Sequence, residues 1–538
     1  MPIDLLLVNG RFYSDGVWAT GVDAVGVDGG KIVAIGSDRP AARRVVDLGG
    51  GWVLPGFHDS HVHPVQAGLE MNACDLTSGS GVEDYRATVA AHAAARPDAA
   101  WILGGGWSMD AFPGGVPTAA ELDDLVPDRP VFLPNRDHHS AWVNTAALQL
   151  AGIGRATVDP ADGRIERDGA GHPTGALHEG AMELVRRLIP PAGPDEQHAA
   201  LLAAQVRLHS LGIVGWQDAL VGEGLGMADS LDTYIRAVGD GSLTAKVVAA
   251  QWWDRGRGDE QIAGLVDRRA RAAAVGLDAG SVKIMQDGVC ETFTAAVIDP
   301  YLDRHGHATD NHGLTFIEPA DLARHVQQLD ALDFQVHLHA LGDRAVRDSL
   351  DAIEHAVAVN GQRGNRHHLA HVQIVHPHDV PRFGRLGATV NAQALWACLD
   401  DQMTELTLPF LGAVARSQQY VFRSLVDAGA PLALGSDWPV SSPDPLAAIH
   451  VAVNRRFAGS DLGPLLGEQA LTLVESIDAY TRGSARISRL EATSGRIAVG
   501  LAADLAVVDR DVLAVPSDEI ASTRVVQTYV DGRLVFEA

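Results

Sequence analysis

Four histidines, one lysine and one aspartate stand in segments whose composition and spacing suit a divalent cation. His61 and His63 lie in GFHDSHVHP, Lys283 in SVKIMQDG, His339 in QVHLHALGD, His371 in HHLAHVQIVHP and Asp437 in LALGSDWPV. Neutral imidazole and carboxylate are good ligands for zinc and related ions. Residues i and i+2 of a strand share a face, so His61 and His63 can grip one ion, while His58 falls on the other face. An H-x-H pair alone is a weak signal. Lys283 is the odd member, because a free ammonium repels metal ions. A lysine whose pKa falls on burial becomes nucleophilic, and reaction with carbon dioxide would make it an anionic carbamate able to bridge two ions. Read alone, a strand lysine is more often salt-bridged. Asp437 follows an apolar run, where a buried charge is costly unless it is paired or bound to metal. His337 sits one layer below His339 on the same strand face and is expected to pack or to support a ligand. His367 and His368 stand at the start of their strand, the wrong end for chemistry.

These side chains converge only if their strands run side by side. Eight strand-like runs are legible: 52–61, 212–219, 243–252, 281–288, 333–340, 367–375, 387–395 and 431–438. Ala/Leu/Arg-rich helical stretches, among them 259–275, 318–332, 343–359 and 415–429, alternate with the strands, the pattern of βαβ units. The α/β fold class this predicts is a (β/α)8 TIM barrel, which places its chemistry at the C-terminal strand ends. There the six residues stand in order.

Both ends of the chain read as β-structure, at 4–12, 23–28 and 31–36 and again at 504–509 and 525–536, the last with an Asp-Gly turn. They predict a composite β-sandwich domain from 1–57 and 490–538, with the barrel over 58–489. The first crossover is too long for one helix, so about 64–211 is expected to be a large insertion. Strands are expected there at 101–104 and 130–134, followed by a hairpin in DGRIERDGAGHPTGAL.

Composition narrows the function classes. The 538 residues carry a formal net charge of −26 and no basic run, which argues against nucleic acid or an anionic membrane surface as partner. The three cysteines, Cys74, Cys290 and Cys398, have no paired spacing and fit a reducing compartment. With no signal-like start and no apolar run of ~20 residues, the expected location is cytoplasmic.

The segments GFHDSHVHP, VKIMQDG, HLHALGD, AHVQ and GSDWPV resemble the metal-site motifs of the amidohydrolase superfamily. GWSMDAFPGGVPTAAELD, RPVFLPNRDHHSAWVNTAAL, DGVCETFTAAV and SGRIAVGLAADLAVVDRDV are similar to its amidohydrolase-3 subgroup, which includes the N-substituted formamide deformylases. The resemblance covers nearly the whole chain. It implies that His61, His63 and Asp437 bind a first, more buried metal, that His339 and His371 bind a second, and that carbamylated Lys283 bridges them. The ions would be divalent, zinc above all, one or two in number. It also implies a homodimer. Such a centre activates water, with Asp437 as general base and then acid and His139 hydrogen-bonding the substrate oxygen. Trp107, Trp252, Trp253, Trp396 and Trp438, with Glu291 for a polar group, are expected to form a largely apolar pocket for a small-molecule substrate. A neutral linear amide leads. Cyclic amides, carbamates, thiocarbamates, esters or ring deamination use the same centre, and a non-catalytic barrel is the remote alternative.

Overall fold

The structure, a computed structural model, describes residues 1–79 and 81–538. Its centre is a barrel of eight parallel strands: β1 (Phe57–Val62), β2 (Ile213–Val221), β3 (Lys246–Trp252), β4 (Asp278–Met285), β5 (Gln335–Ala340), β6 (His368–His371), β7 (Thr389–Ala392) and β8 (Leu432–Leu434). Neighbours in sequence are neighbours in the sheet from β1 to β8. The seam between β8 and β1 closes through the backbone just past β8. Asp437 N–H donates to the His61 carbonyl (2.7 Å) and His63 N–H to the Trp438 carbonyl (2.9 Å).

Alternation along each strand sorts its side chains between the axis and the outer helices. In β4, Val282 and Ile284 join the main apolar core while Lys283 faces the axial cavity. In β5, Val336, Leu338 and Ala340 join that core, and His337 and His339 face inward. Outside the barrel run Ile262–Ala273, Pro319–Ala331 and Asp343–Asn360, each with an apolar stripe facing the sheet. The stretch 415–429, expected as one helix, is instead two short ones, Ala413–Arg416 and Phe422–Asp427. Tyr420 breaks the run with a φ of 49°.

The terminal segments build two sheets. One runs in the order Lys31–Gly36, Ala24–Asp28, Ile3–Val8, Ala42–Asp47. The other runs Arg533–Glu537, Val525–Val530, Leu505–Val508, Trp52–Pro55, Arg11–Ser14, Val17–Trp18. Leu5, Val25 and Ile32 of the first pack with Phe12, Val53, Val507 and Tyr529 of the second in a shared apolar core. The stretch 52–61, read as one strand, is therefore two. Trp52–Pro55 belongs to the terminal sheet and Phe57–Val62 to the barrel. Gly56 separates them, where an added Cβ would lie 2.4 Å from Val214 Cγ1.

Between β1 and β2 a further six-stranded sheet runs in the order Gly163–Arg167, Pro173–Glu179, Ser140–Val143, Val131–Pro134, Ile102–Gly105, Cys74–Asp75. It contains the expected strands near 101–104 and 130–134 and the expected hairpin. Among the described residues no helix is long and apolar enough to cross a membrane.

Candidate metal centre

β1 delivers the first two imidazoles. His61 Nε2 lies 3.2 Å and His63 Nε2 2.9 Å from the same oxygen, Asp437 Oδ1. The three residues can hold a metal ion, their ligand atoms all lying within 4.8 Å of one another. His371 Nδ1 is 4.0 Å from the other oxygen, Asp437 Oδ2. The rings of His339 and His371 are 4.5 Å apart. Lys283, 3% exposed, faces the same cavity. All six residues expected as ligands therefore meet at the C-terminal mouth of the barrel.

Backbone geometry explains how two of them arrive. His368 faces the axis, its ring 4.2 Å from that of His337, so strict alternation would send His371 outward. Instead His371 takes φ 75° and Val372 φ 49°, which breaks the pleat and turns the imidazole inward. Asp437 also sits at positive φ, 57°. Left-handed backbone at non-glycine residues costs on the order of 1–3 kcal/mol each and clusters at functional sites.

The protonation states suit ligation. Burial pushes the His61 imidazole down to about 3 and holds His339 and His371 well below the ordinary range, so all three are neutral donors. Burial alone would raise Asp437, yet His61 and His63 hold it well below the usual carboxylate range. Burial brings the Lys283 amine down to about 8, against the pull of Asp437. Its un-ionised fraction near neutrality is thereby increased.

Supporting groups fix these ligands, and only His337 among them was expected from the sequence. Asp59 accepts the N–H groups of His61 (3.1 Å) and Ser436 (3.0 Å) and the Ser436 hydroxyl (2.5 Å), stitching β1 to the loop after β8. Asp287 takes N–H bonds from Ala296, Leu341 and Gly342 and lies 3.2 Å from His339 Nδ1. His337 Nε2 lies 2.8 Å from His61 Nδ1, as expected of a supporting imidazole. Asn391 pairs with the Ser60 hydroxyl and carbonyl, and Gln393 accepts the His371 N–H. Asp287 was within reach of sequence, two residues after the β4 strand end; Asp59, Asn391 and Gln393 carry no spacing signal. His58 points away from the centre, to Ser494 Oγ (2.8 Å).

His139 reaches over the centre from the insertion, its ring 5.8 Å from that of His339. Its Nδ1 lies 2.8 Å from Glu179 Oε1. Burial would lower its pKa, but the Glu179 charge and hydrogen bond, with Asp137, raise it to about 9.

The centre floors a cavity of about 550 Å³. Trp252, Trp396, Trp438 and Glu291 line it. Trp396 stacks on His371 at 5.3 Å and 6°. Thr407 Oγ1 donates to Glu291 (2.9 Å), and burial raises that carboxyl to about 7. Trp107 and Trp253 do not line it. Trp107 is fully buried in the insertion core against Phe112 and Trp142, donating to the Leu133 carbonyl. Trp253 packs on His325 outside the barrel, because it points opposite to Trp252. Charged groups line the cavity as well: Arg136 and Arg207, with Asp137 and Asp400.

A profile of the Amidohydrolase family matches residues 44–536. The chain is 30% identical over 99% of its length to Protein LONG AFTER FAR-RED 3 of Arabidopsis thaliana, covering 91% of that protein. It is 28% identical to the N-substituted formamide deformylase of Arthrobacter pascens, covering 99% of this chain and 98% of that one. Among solved structures, an uncharacterized metal-dependent hydrolase from Pyrococcus horikoshii OT3 superposes with a TM-score of 0.73 at 25% identity, over 95% of this chain and 99% of the other.

Proposed function

This chain belongs to the amidohydrolase family and is a metal-dependent hydrolase of non-peptide carbon–nitrogen bonds, and from that premise we propose that it cleaves a neutral, linear, partly apolar amide of the N-substituted formamide type. The observation that carries the proposal is the join of a His61–His63–Asp437 triad to a cavity walled by three indoles. The residues fit a divalent ion: three neutral imidazoles, one carboxylate kept ionised, and an orphaned, buried Nδ1 on His371. His61, His63 and Asp437 would hold one ion, and His339, His371 and a carbamylated Lys283 a second, with zinc the element these donors suit. The metal supplies water activation and carbonyl polarisation.

The chain's own groups do the rest. Asp437 accepts a proton at Oδ2 from the attacking water and returns it to the leaving amine. His139, protonated at neutral pH and oriented by Glu179, donates a hydrogen bond to the oxygen that gains charge as the carbonyl is attacked. Trp252, Trp396 and Trp438 exclude water from the N-substituent and bind it by apolar contact. Arg136 and Asp400 both line the cavity, and the Arg136 charge favours the ionised Asp400 carboxylate against its burial. The test compares kcat/KM for N-benzylformamide with that for N-acetylglutamate in zinc-loaded enzyme. The neutral amide is expected to turn over faster; faster turnover of the dianion overturns the substrate assignment. Full activity in protein stripped of metal overturns the metal centre itself.

A further inference from the structure

Two ligand imidazoles have an outer partner for the ring nitrogen turned away from the cavity, His61 in His337 and His339 in Asp287. His63 does not. Its Nε2 points at Asp437, so in a neutral ligand Nδ1 carries the proton, and that buried Nδ1 has no hydrogen-bond partner. An unmade bond from a buried donor is costly. Beside it lies a small cavity of about 10 Å³, separate from the main one and lined by His63, Gln66, Asp218, Leu220 and Ser230 among others. Ser230, 2% exposed, also has a hydroxyl without a partner. Asp218, 1% exposed, lies in β2 three residues before its end, opposite Val62 in the register. One of its oxygens accepts the Leu220 N–H (2.8 Å) and the other the Tyr234 hydroxyl (2.7 Å), leaving lone pairs on each.

A space of roughly this size with two to four polar partners is what one buried water needs. We propose that a single water in this cavity takes the His63 Nδ1 proton in a hydrogen bond and donates to Asp218 and Ser230, making Asp218 the positioning residue that orients His63. The carboxylate is fixed by Leu220 and Tyr234, the water passes that fixation to the ring, and Nε2 is left aimed at the ion. Water thereby replaces, for His63, the direct contact that Asp287 makes with His339. Outer partners of this kind tune metal affinity by ~10–100-fold. The inference rests on the metal-centre reading, and its test separates the two.

Full-length protein is stripped with chelator and titrated with Zn2+ against a competing chromophoric chelator, with Co2+ absorption spectra recorded in parallel. Wild-type protein that takes up no metal sinks the metal-centre reading. If wild type binds, Asp218→Ala is expected to lose at least ~10-fold in affinity and to shift the Co2+ visible bands, with the apoprotein melting close to wild type. Ser230→Ala should show the same spectral shift with a smaller loss. Asp218→Asn keeps the shape without the charge and should fall between Asp218→Ala and wild type, which covers the case in which Asp218→Ala fails to fold. Asp218→Asn or Asp218→Ala binding within twofold of wild type, with unshifted spectra, overturns the proposal.

Discussion

Asp437 is asked to do two things with two oxygens. Oδ1 meets both β1 imidazoles, and Oδ2 faces His371 across 4.0 Å. Asp437→Asn keeps the size but cannot take a proton, so kcat should fall by ~10²–10⁴-fold, with metal retained in part. Steady-state kinetics with metal analysis of the same sample check this; unchanged kcat would remove the residue from proton transfer. His139 gives the pH test. Its folded pKa is raised to about 9, so the charge and its pairing energy are fully present below the unfolded value near 6.5 and are lost as pH rises through about 9. kcat/KM should decline along an alkaline limb there, and Glu179→Gln, which removes the main raising group, should move that limb to lower pH. A limb that stays in place in Glu179→Gln would assign it to another group.

At the scale of elements, the close approach of the β8 loop to β1 depends on Gly435. A Cβ there would stand 2.6 Å from the His61 nitrogen and 3.0 Å from Asp59 Oδ1. Gly435→Ala should cost ~1–3 kcal/mol by overpacking and loosen His61. A lower denaturation midpoint together with reduced metal content checks it; a midpoint equal to wild type refutes it. Much of this architecture was legible in the chain. Strand-like runs separated by helical stretches marked all eight barrel strands, and the polar residues at the ends of five of them marked the centre. Side-chain direction was less legible. Trp252 and Trp253 adjoin at one strand end, and alternation sends only the first into the cavity. Trp107 was expected in the pocket, and its partners in the insertion core, Phe112 and Trp142, belong to separate stretches of the chain. Asp59 and Asn391 owe their roles to residues more than 300 positions away, which no local pattern encodes.

Across the whole molecule, the terminal sheets are tied to the barrel by polar as well as apolar contacts. Lys246 at the start of β3 reaches Asp504 (2.9 Å) and Asp531 (2.8 Å), and Asp504 also takes the Ser494 hydroxyl that meets His58. Asp504 is 2% exposed. Lys246→Met would strand that carboxylate and should destabilise the fold by about 3 kcal/mol, the usual size when one partner of a buried pair is removed. Urea unfolding checks it, and a wild-type midpoint would show the contact to be dispensable.

The joint at Gly56 also orders events in time. The segment leading into β1 pairs Pro55 with Leu505, 450 positions later. At ~5–20 residues per second, a ribosome needs about 20 to 90 s to make the intervening chain. The two imidazoles emerge early, yet the segment leading into the strand that bears them lacks its C-terminal partner until synthesis is nearly finished. Nascent chains arrested before residue 505 should therefore leave β1 without its anchor, so the metal centre is assembled last although its first ligands are made first.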